Sequence, residues 1–519
     1  MEKKSGFFAW YSQAKYINKN FFGQCLGKSL LALVCILFPS LIKAQKIPLV
    51  FVNNTEGTYT DDDIYIALIG QFTGMNGVWM DMSQSVLKPM AGTENTLLGP
   101  AWASAPGGGK KYGPIFTKLS QIPQKTIQIP YGISATRIFI SFKSPMYLYI
   151  FPDGGYAGAD LNNPNDPSDG VRWEIVELSW LGASGLFINT SRVDSYQYPM
   201  GLDVRGFTNS GGINGSDYLS TYTALLSKSS LNDTVKHAGE ILGHQEILNL
   251  WEPAVSTPFK ACKIVKTHSL DKEPIIEQPS KIPAFKAGGV SQNFFDSYIK
   301  EVWNTYRSRD LLINFGDIGT YKGRVNGDKF SFSSILDPSQ VGHIYGVPTT
   351  QDVIEGKGFL ASTPQSGPAG SRDLQVQAQI CAALNRHAID VELGSEIVQK
   401  NHDSTRFYKK NPHNEYVRFF HQNKISYRGY TYAFAYDDVG DFSSTVQMTF
   451  PTHTSVFIGG LKGKVTPVSL NNQKKGVSKT RIQLKENSPV ISIPGEKMYK
   501  EYNLQGGFQG KRVPQNQKK

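Results

Sequence analysis

Residues 173–180 read W-E-I-V-E-L-S-W, residues 181–185 read L-G-A-S-G, and residues 186–200 read L-F-I-N-T-S-R-V-D-S-Y-Q-Y-P-M. The first and third segments are rich in β-branched and aromatic residues, which favour strands, and the glycines between them permit a bend. The proline near the end of the third segment stops extended structure. The sequence therefore predicts a strand, a short turn and a returning strand over 186–193.

The first of these strands has one apolar face and one face with a carboxylate. Side chains alternate along a strand, so Val176, Leu178 and Trp180 share a face that can be buried, while Glu177 points to the other side. Asp194 closes the returning strand, and the turn brings both carboxylates to the same part of a sheet. One acid that protonates a leaving oxygen and one carboxylate that activates water are the minimum for glycosidic hydrolysis. Carboxylates this close in sequence are also common as solvated groups on sheets.

Spaced motifs around these carboxylates resemble a known family. The patterns E-x-S at 177–179 and S-x-V-D-x-x-x-x-P-M at 191–200 are similar to the thaumatin-like superfamily and, within it, to the β-1,3-glucanases of glycoside hydrolase family 64. Further similar segments follow in the same order and extend the resemblance over most of residues 47–460: F-V-N-N at 51–54, A-T-R-I-F-I-S-F at 135–142, C-A-A-L-N-R at 381–386 and Y-A-F-A-Y-D-D at 432–438. The resemblance implies a mainly β fold, with a thaumatin-like sandwich or barrel and a second, mixed α/β lobe that form a wide cleft.

The resemblance also implies roles for individual residues. Glu177 matches the family's general acid and Asp194 its general base, which act with inversion. Ser179 and Phe187 stand where the family has a hydroxyl and an aromatic ring that contact sugar, although the ring here is smaller than the usual indole. Asn189 stands where thaumatin-like proteins often have an acid, which weakens a role for a third carboxylate.

Two further acids have two possible interpretations. If the family topology holds, Asp437 and Asp438 face the cleft and bind substrate. Alternatively, they cap a turn before Gly440, since Asp favours such positions.

A metal site has little support in the sequence. His237, Glu240 and His244 share one face of a helix predicted at 236–251, but their spacing matches no zinc motif, and a solvated polar face explains them. The glycine run at 106–109 reads as a loop, with no phosphate-binding pattern around it. We expect no cofactor and no metal.

The net charge of +11 comes from the two ends of the chain. Residues 1–44 carry six Lys and one Glu, and residues 462–519 carry thirteen Lys or Arg against three Glu, so residues 45–461 are close to −4. A nucleic-acid-binding groove is therefore disfavoured, because the positive charge lies outside the part that could fold around one. A neutral polysaccharide needs no basic field.

The first 44 residues have the order of a secretory signal. Lysines precede an apolar run from Leu30 to Ile42, which is shorter than a bilayer span and ends near the small residue Ala44. Cleavage there leaves a mature chain that begins near Gln45 and is secreted, periplasmic or extracellular. A single membrane anchor is the alternative, because the leading segment is long for a signal.

A chain of 519 residues is too long for one small core. After the signal we expect the first part of the barrel at 45–210, the α/β lobe at 211–407, strands that rejoin the barrel at 408–461, and a basic, weakly ordered tail at 462–519. The mature chain keeps two cysteines, Cys262 and Cys381. We expect buried or free thiols, with one disulfide between them as the alternative.

The local patterns predict the main elements. Strands are expected at Leu49–Asn53, Asp63–Gln71, Thr126–Ile129, Arg137–Phe142, Tyr416–Phe420, Tyr430–Tyr436, Gln447–Phe450, Thr454–Ile458 and, in the tail, Val490–Ile493. Asn326-Gly327 predicts a hairpin over 322–332. Helices are expected at Lys236–Trp251 and Phe294–Tyr306, and Ser371 is expected to cap a third, whose apolar stripe is Val376, Ile380, Cys381, Leu384 and Ala388.

The resulting hypothesis is a secreted, monomeric endo-β-1,3-glucanase whose partner is β-1,3-glucan. The alternatives are a thaumatin-like protein that binds glucan without turnover and a surface structural protein that binds no soluble glucan. Both carboxylates are present beside a hydroxyl and an aromatic residue, which favours the enzyme.

Overall fold

The computed structural model describes most of the chain. The described residues are 45–103, 109–208, 218–226 and 234–465, with the backbone of two strands at 498–502 and 508–512. The predicted signal at 1–44 and the predicted tail strand at 490–493 lie outside these residues, as does most of the glycine run.

The chain up to residue 207 is built from strands. In order these are β1 (Lys46–Asn53), β2 (Ile64–Phe72), β3 (Met75–Asp81), β4 (Val86–Pro89), β5 (Leu97–Leu98), β6 (Lys111–Tyr112), β7 (Thr117–Lys118), β8 (Thr126–Pro130), β9 (Ile133–Phe142), β10 (Tyr149–Ile150), β11 (Tyr156–Ala157), β12 (Arg172–Trp180), β13 (Leu186–Thr190), β14 (Ser195–Tyr196) and β15 (Met200–Phe207). The four strands predicted before residue 143 are confirmed.

Helices appear in the second half of the chain. The elements are α1 (Tyr218–Leu226), β16 (Thr234–Gly239), α2 (His244–Ala254), α3 (Thr257–Lys260), β17 (Lys263–Ile264), β18 (Ile275–Glu277), α4 (Asp296–Ser308), β19 (Leu311–Asn314), β20 (Thr320–Asn326), β21 (Lys329–Ser334), β22 (Val341–Ile344), α5 (Thr350–Glu355), α6 (Gly367–Arg386), β23 (Gln399–Lys400), α7 (Glu415–Phe420), β24 (Val446–Met448), β25 (Phe450–Ile458), β26 (Met498–Tyr502) and β27 (Phe508–Arg512).

Two sheets enclose a shared hydrophobic core. The larger has the strand order β24-β13-β12-β9-β2-β3-β4, with β7 beside β2, and the smaller has the order β16-β15-β25-β1-β8. Val176, Leu178 and Trp180 of β12 are at most 3% exposed in this core, which confirms the predicted alternation. Burial of an aliphatic side chain such as Val176 or Leu178 stabilises the fold by about 1.5–3 kcal/mol relative to its exposure. The protein is mainly β, as predicted.

The last strands of the described core return to these two sheets. β25 pairs in parallel with β1 and antiparallel with β15, and β24 pairs with β13. The predicted strands at 447–450 and 454–458 are therefore confirmed. The domain boundaries at 210 and 407 stay predictions.

The outer face of the larger sheet changes from apolar to polar along β12. Trp173 and Ile175, at its beginning, pack in a second cluster with Phe139 of β9 and with residues of the loops before residue 172. Glu177 and Ser179, further along the same face, are only partly buried. The sheet therefore carries an accessible polar patch beside an apolar one.

A third hydrophobic cluster lies among helices and the sheet β22-β21-β20-β19-β23. Helix α4 confirms the predicted helix at 294–306, since Ile299, Val302 and Tyr306 are buried at helical spacing. The apolar stripe of α6 is also buried, but this helix begins at Gly367, four residues before Ser371, so the predicted cap is wrong. Cys262 and Cys381 are free and buried, as expected.

Two further predictions of element type are wrong. The predicted helix at 236–251 is strand β16 followed by α2, because Gly239 has a φ of 109° and lies so close to β15 that a Cβ would be 2.0 Å from the Met200 carbonyl oxygen. Glu246 caps α2 by accepting the Gly243 amide at 2.8 Å. The predicted strand at 416–420 is α7, where Asn414 Oδ1 accepts the amide of Val417.

Residues 430–436, predicted as a strand, form none. The hairpin of β20 and β21 is confirmed, but its last pair is Asn326 with Lys329, so the turn lies one residue later than predicted. Among the described residues, no helix combines the length and the apolar character needed to cross a bilayer.

Candidate active site

Glu177 is held in place by the strands on either side of β12. Its partners in register are Arg137 on β9 and Asn189 on β13, and residues opposite each other project to the same face of a sheet. Arg137 Nε lies 3.4 Å from Glu177 Oε1, and Asn189 Nδ2 donates to Oε2 at 3.2 Å. The Glu177 side chain is still 30% exposed. The carboxylate is therefore both fixed and accessible.

Ser179 and Phe187 lie opposite each other, two residues further along the same strands. The register places them on the face of Glu177, and both are partly buried. The Ser179 hydroxyl accepts a hydrogen bond at 3.1 Å from the amide of Ala135, which has a φ of 47° beside a bulge between β9 and β12. Ser179 thus supports the local backbone, and the sugar contacts expected of both residues stay predictions.

Asp194 does not lie on the returning strand, which corrects the prediction. β13 ends at Thr190, and Asp194 belongs to the loop of residues 191–199, which includes the short β14. Its side chain is 47% exposed, and Lys281 Nζ lies 3.2 Å from Oδ1. Its carbonyl oxygen accepts the amide of Gln278 at 3.1 Å. Contacts distant in sequence, rather than a strand ladder, anchor this carboxylate.

The two carboxylates act on a common guanidinium. Burial opposes the charge of Arg137, but Tyr156, Glu177 and Asp194 together raise the pKa of Arg137 above its ordinary value. Its Nη1 also donates to the Tyr156 hydroxyl at 3.4 Å. Glu177 and Asp194 therefore both favour the charged form of Arg137.

A buried ionic network underlies the 191–199 loop. Arg192 is completely buried between Glu174 and Glu240, at 2.6 Å from Glu240 Oε2. Glu174 also accepts the amides of Gln197 and Tyr198 at 2.7 Å each. Burial raises the pKa of Glu174 to about 7, and the charge of Arg192 opposes that rise. Both ends of the loop are thus fixed to buried charges.

Asp437 is buried in a second ionic network and does not face solvent. It is 0% exposed, Arg386 Nη2 lies 3.0 Å from Oδ1, and His421 Nε2 lies 2.9 Å from the same oxygen. Its Oδ2 accepts the amide of Ala433 at 2.8 Å. Since both oxygens have partners and neither is exposed, the prediction that Asp437 binds substrate is wrong.

Asp438 is less buried than Asp437. Burial raises the pKa of Tyr432, and the charges of Asp438, Glu177 and Asp437 add to that rise. Asp438 itself is partly buried, and burial raises its pKa to about 7. Its contact with substrate stays a prediction.

Two of the three residues considered for a metal have other partners. Glu240 binds Arg192, and His244 Nδ1 lies 3.1 Å from the Tyr196 hydroxyl. Within the part of the chain that the structure describes, no group of three or more His, Cys, Asp or Glu side chains is placed to hold a metal ion.

The sequence interpretation gave no role to the residues that surround the two carboxylates. Arg137 and Arg192 lie in segments that carry the family resemblance, and Glu174 lies in the stretch 173–180 that opens the site. Their charge in otherwise apolar or motif-rich stretches was an available signal. Lys281 lies 87 residues after Asp194, and no local pattern connects the two.

A family comparison covers the part of the chain that carries this site. The model of glycoside hydrolase family 64, described as Beta-1,3-glucanase, matches residues 45–458. The chain belongs to glycoside hydrolase family 64. It is therefore a glycoside hydrolase of the β-1,3-glucanase type, and the resemblance seen in its motifs is confirmed at the level of this family.

Individual members of family 64 show the same relationship. A glucan endo-1,3-β-glucosidase of Arthrobacter sp. (strain YCWD3) is 26% identical over 84% of this chain and 69% of its own length. The structure of a β-1,3-glucanase domain from Clostridium beijerinckii is 30% identical, with a TM-score of 0.63 over 80% of this chain and 98% of the domain. A laminaripentaose-producing β-1,3-glucanase in complex with laminaritetraose shares the fold, with a TM-score of 0.57 at 22% identity over 80% of this chain and 99% of that chain.

Proposed function

We propose that this family 64 protein cleaves internal bonds of β-1,3-glucan with inversion, using Glu177 as general acid and Asp194 as general base. Glu177 gives its proton to the leaving oxygen while the C1–O bond breaks. Asp194 takes a proton from the water whose oxygen attacks C1 from the opposite face, and the product is an α-anomer. The observation that carries the proposal is that Glu177 and Asp194 are both accessible carboxylates, the first held by Arg137 and the second by Lys281.

The surroundings of Glu177 suit an acid that becomes negative during the reaction. The Arg137 guanidinium and the Asn189 amide lie against its two oxygens. Both groups stabilise the carboxylate that remains after proton transfer, and charge-assisted hydrogen bonds are about twice as strong as neutral ones.

The surroundings of Asp194 suit a base. Lys281 is mostly buried, and the attraction of Asp194 raises the pKa of Lys281 although burial opposes its charge. The lysine therefore holds the Asp194 carboxylate in place while it accepts the proton of water. Its exposed side leaves room for that water.

The substrate proposal rests on the family and on the patch beside Glu177. Phe187 offers an apolar surface for a pyranose ring, and Ser179 and Asn189 offer polar groups on the same face. A neutral polymer suits a folded region whose net charge is only about −4. Asp438 is proposed as a polar group at the edge of this patch, and no cofactor takes part.

We further propose a thaumatin-like origin for the sandwich, with the helical region forming the other wall of a wide cleft. Export is proposed from the basic, apolar and small-residue order of residues 1–44. Intact-mass analysis of protein recovered from the culture medium should show a chain that begins near Gln45. A retained N-terminus in membranes would favour the anchor instead.

The decisive experiment follows the first products released from laminarin by ¹H NMR. We expect the α-anomer to appear first, and Glu177→Gln and Asp194→Asn should each lower kcat by about 100-fold to 10,000-fold while binding of glucan persists. Glu392→Gln is the matched control, because this carboxylate is 78% exposed and distant in sequence from both residues.

Other outcomes point to other assignments. A β-anomer as first product contradicts inversion. Near wild-type rates in both amide variants contradict the choice of this pair and direct attention to Asp438. Binding of laminarin by wild-type protein without any released oligosaccharide would support the non-catalytic alternative.

A further inference from the structure

We propose that Glu174, Arg192 and Glu240 are positioning residues that set the place of Asp194 relative to Glu177. This inference rests on the proposed roles of Asp194 and Glu177. None of the three side chains is accessible to substrate, since each is at most 2% exposed. They act through the loop that carries the base.

Glu174 joins the two sides of the 191–199 loop. Arg192, two residues before Asp194, donates from Nη1 to Glu174 Oε2. The amides of Gln197 and Tyr198, shortly after Asp194, both donate to Oε1 at 2.7 Å. Asp194 therefore lies in a loop whose entry and exit are tied to a single carboxylate.

This carboxylate belongs to the strand of the proposed acid. Glu174 and Glu177 are three residues apart on β12 and so project to opposite faces. A rise of about 3.3 Å per residue separates their Cα atoms by about 10 Å along the strand. Glu174 thus links the loop of the proposed base directly to the strand of the proposed acid.

Glu240 fixes the other side of the guanidinium. Its two oxygens accept Arg192 Nε at 2.8 Å and Nη2 at 2.6 Å, a bidentate arrangement, and Oε2 also accepts the amide of Met200 at 2.8 Å. Planar bidentate pairs specify orientation as well as distance. The Arg192 backbone is held too, because its amide donates to the Tyr432 carbonyl and its carbonyl accepts the Tyr416 hydroxyl.

The energetics favour a geometric role. Replacing a buried ionic triad by apolar side chains of similar volume is often neutral or stabilising, so such a network adds little net stability. Inversion, in contrast, needs a water between base and sugar and carboxyls about 6.5–9.5 Å apart, and a misplacement of about 1 Å can cost about 100-fold in rate. A rigid link between the two carboxylates meets that requirement.

The test uses Glu174→Gln and Glu240→Gln in the full chain, assayed on laminarin with and without sodium azide. Azide attacks C1 through nitrogen as the C1–O bond breaks and Glu177 protonates the leaving oxygen, so no base is needed and an α-glycosyl azide forms. We expect kcat to fall about 10-fold to 100-fold with KM within about 2-fold, and azide to restore part of the rate. Glu177→Gln should gain nothing from azide, because its leaving oxygen receives no proton.

Asp373→Asn is the matched control. Asp373 is also a buried carboxylate that accepts a backbone amide, that of His343, and a Tyr345 hydroxyl, each at 2.8 Å, but it belongs to α6 rather than to the loop. We expect its kcat and its azide response to match wild type. A folded Glu174→Gln protein that behaves like this control would overturn the positioning role.

A triple variant addresses loss of folding in the single variants. Glu174→Met/Arg192→Leu/Glu240→Met keeps the core filled without charges, and we expect it to fold, to bind laminarin and to show the same azide-dependent rate. If it folds with wild-type kcat, or if it and both single variants fail to fold, the network supports the fold rather than the position of Asp194. If Asp194→Asn and Glu177→Gln are fully active, the proposed function fails instead, whatever these variants do.

Discussion

Glu177 and Asp194 are 17 residues apart in sequence, yet the chain holds the two carboxylates by different means. Glu177 lies on β12, inside the larger sheet, where backbone pairing with β9 and β13 fixes its neighbours. Asp194 lies in the 191–199 loop, where only the two-residue β14 pairs with another strand. There the loop is held by the side chains of Glu174, Arg192 and Lys281 in place of backbone hydrogen bonds between strands.

The two halves of the site therefore differ in their sensitivity to the loss of a single contact. A ladder distributes its support over many backbone hydrogen bonds, each with a net contribution of about 1 kcal/mol. The loop depends on a few buried ionic contacts, and removal of one partner of such a contact costs about 3–5 kcal/mol. Disturbance of buried charges should therefore displace the proposed base before the proposed acid.

Asp271→Asn is expected to have the largest effect on the unfolding free energy. Asp271 binds Arg172 Nε at 2.7 Å, and Arg172 Nη1 donates to the Gln197 carbonyl of the loop. Burial opposes ionisation of Asp271, but the hydrogen bond and charge of Arg172 lower its pKa well below the usual range. A lowered pKa gives stability that is present above about pH 4 and is lost as the pH falls further. We expect a loss of about 2–3 kcal/mol in unfolding free energy at pH 7, which shrinks below about pH 4.

Denaturant unfolding at several pH values measures this loss, and amide hydrogen exchange locates it. Exchange should accelerate in 191–199 and stay slow in β12. Asp81→Asn is the control, because its pKa is also lowered, but by the surface residue Lys88, and such pairs contribute at most about 1 kcal/mol. Equal acceleration in β12 and in the loop would contradict the claim that the loop is the more sensitive half of the site.

The contrast also explains what the sequence could predict. Alternation over 173–180 located β12, its buried face and Glu177, because strand periodicity is a local property. The same periodicity extended the returning strand to Val193, whereas it ends at Thr190, because Arg192 turns inward to Glu174 and Glu240. That ionic network depends on residue 240, which local patterns cannot associate with residue 192.

Other misses have the same origin. A helical spacing of polar residues suggested a helix across 236–251, but the antiparallel pairing of β16 with β15 overrode it. The family topology implied a position in the cleft for Asp437, and only the fold places Arg386 and His421 around it. Charged residues that find buried partners far away in sequence are the part that local patterns do not reveal.

Lys281 holds the proposed base by an ion pair, since its Nζ lies 3.2 Å from Asp194 Oδ1. Lys281→Met removes this contact and leaves the carboxylate free to move from the position that activates water. We expect kcat/KM to fall by about 10-fold, equivalent to about 1.4 kcal/mol, because a small displacement of a catalytic group is costly in rate. Steady-state kinetics on laminarin measure the loss.

Lys286→Met is the control for this lysine. Lys286 is close enough to Lys281 for their charges to interact, but it forms no ion pair with Asp194. We expect its kcat/KM to match that of wild type. A Lys281→Met protein with wild-type kcat/KM would show that this ion pair does not hold the base.

The smallest effect is expected for Asn189→Ala, which changes a neighbour of Glu177 within the sheet. Asn189 Nδ2 donates to Glu177 Oε2 at 3.2 Å, but the strand register and Arg137 continue to hold the carboxylate when the amide is removed. The loss is then one hydrogen bond, about 0.5–1 kcal/mol, or about 2-fold to 5-fold in kcat.

Gln447→Ala is the control, since this exposed amide lies opposite Phe187 on the same face and donates to the Ser184 carbonyl rather than to Glu177. Steady-state kinetics on laminarin measure both variants. A loss in Asn189→Ala as large as that of Glu174→Gln would mean that the acid depends on single side chains as much as the base does, because a position fixed by a backbone ladder tolerates the removal of one neighbour.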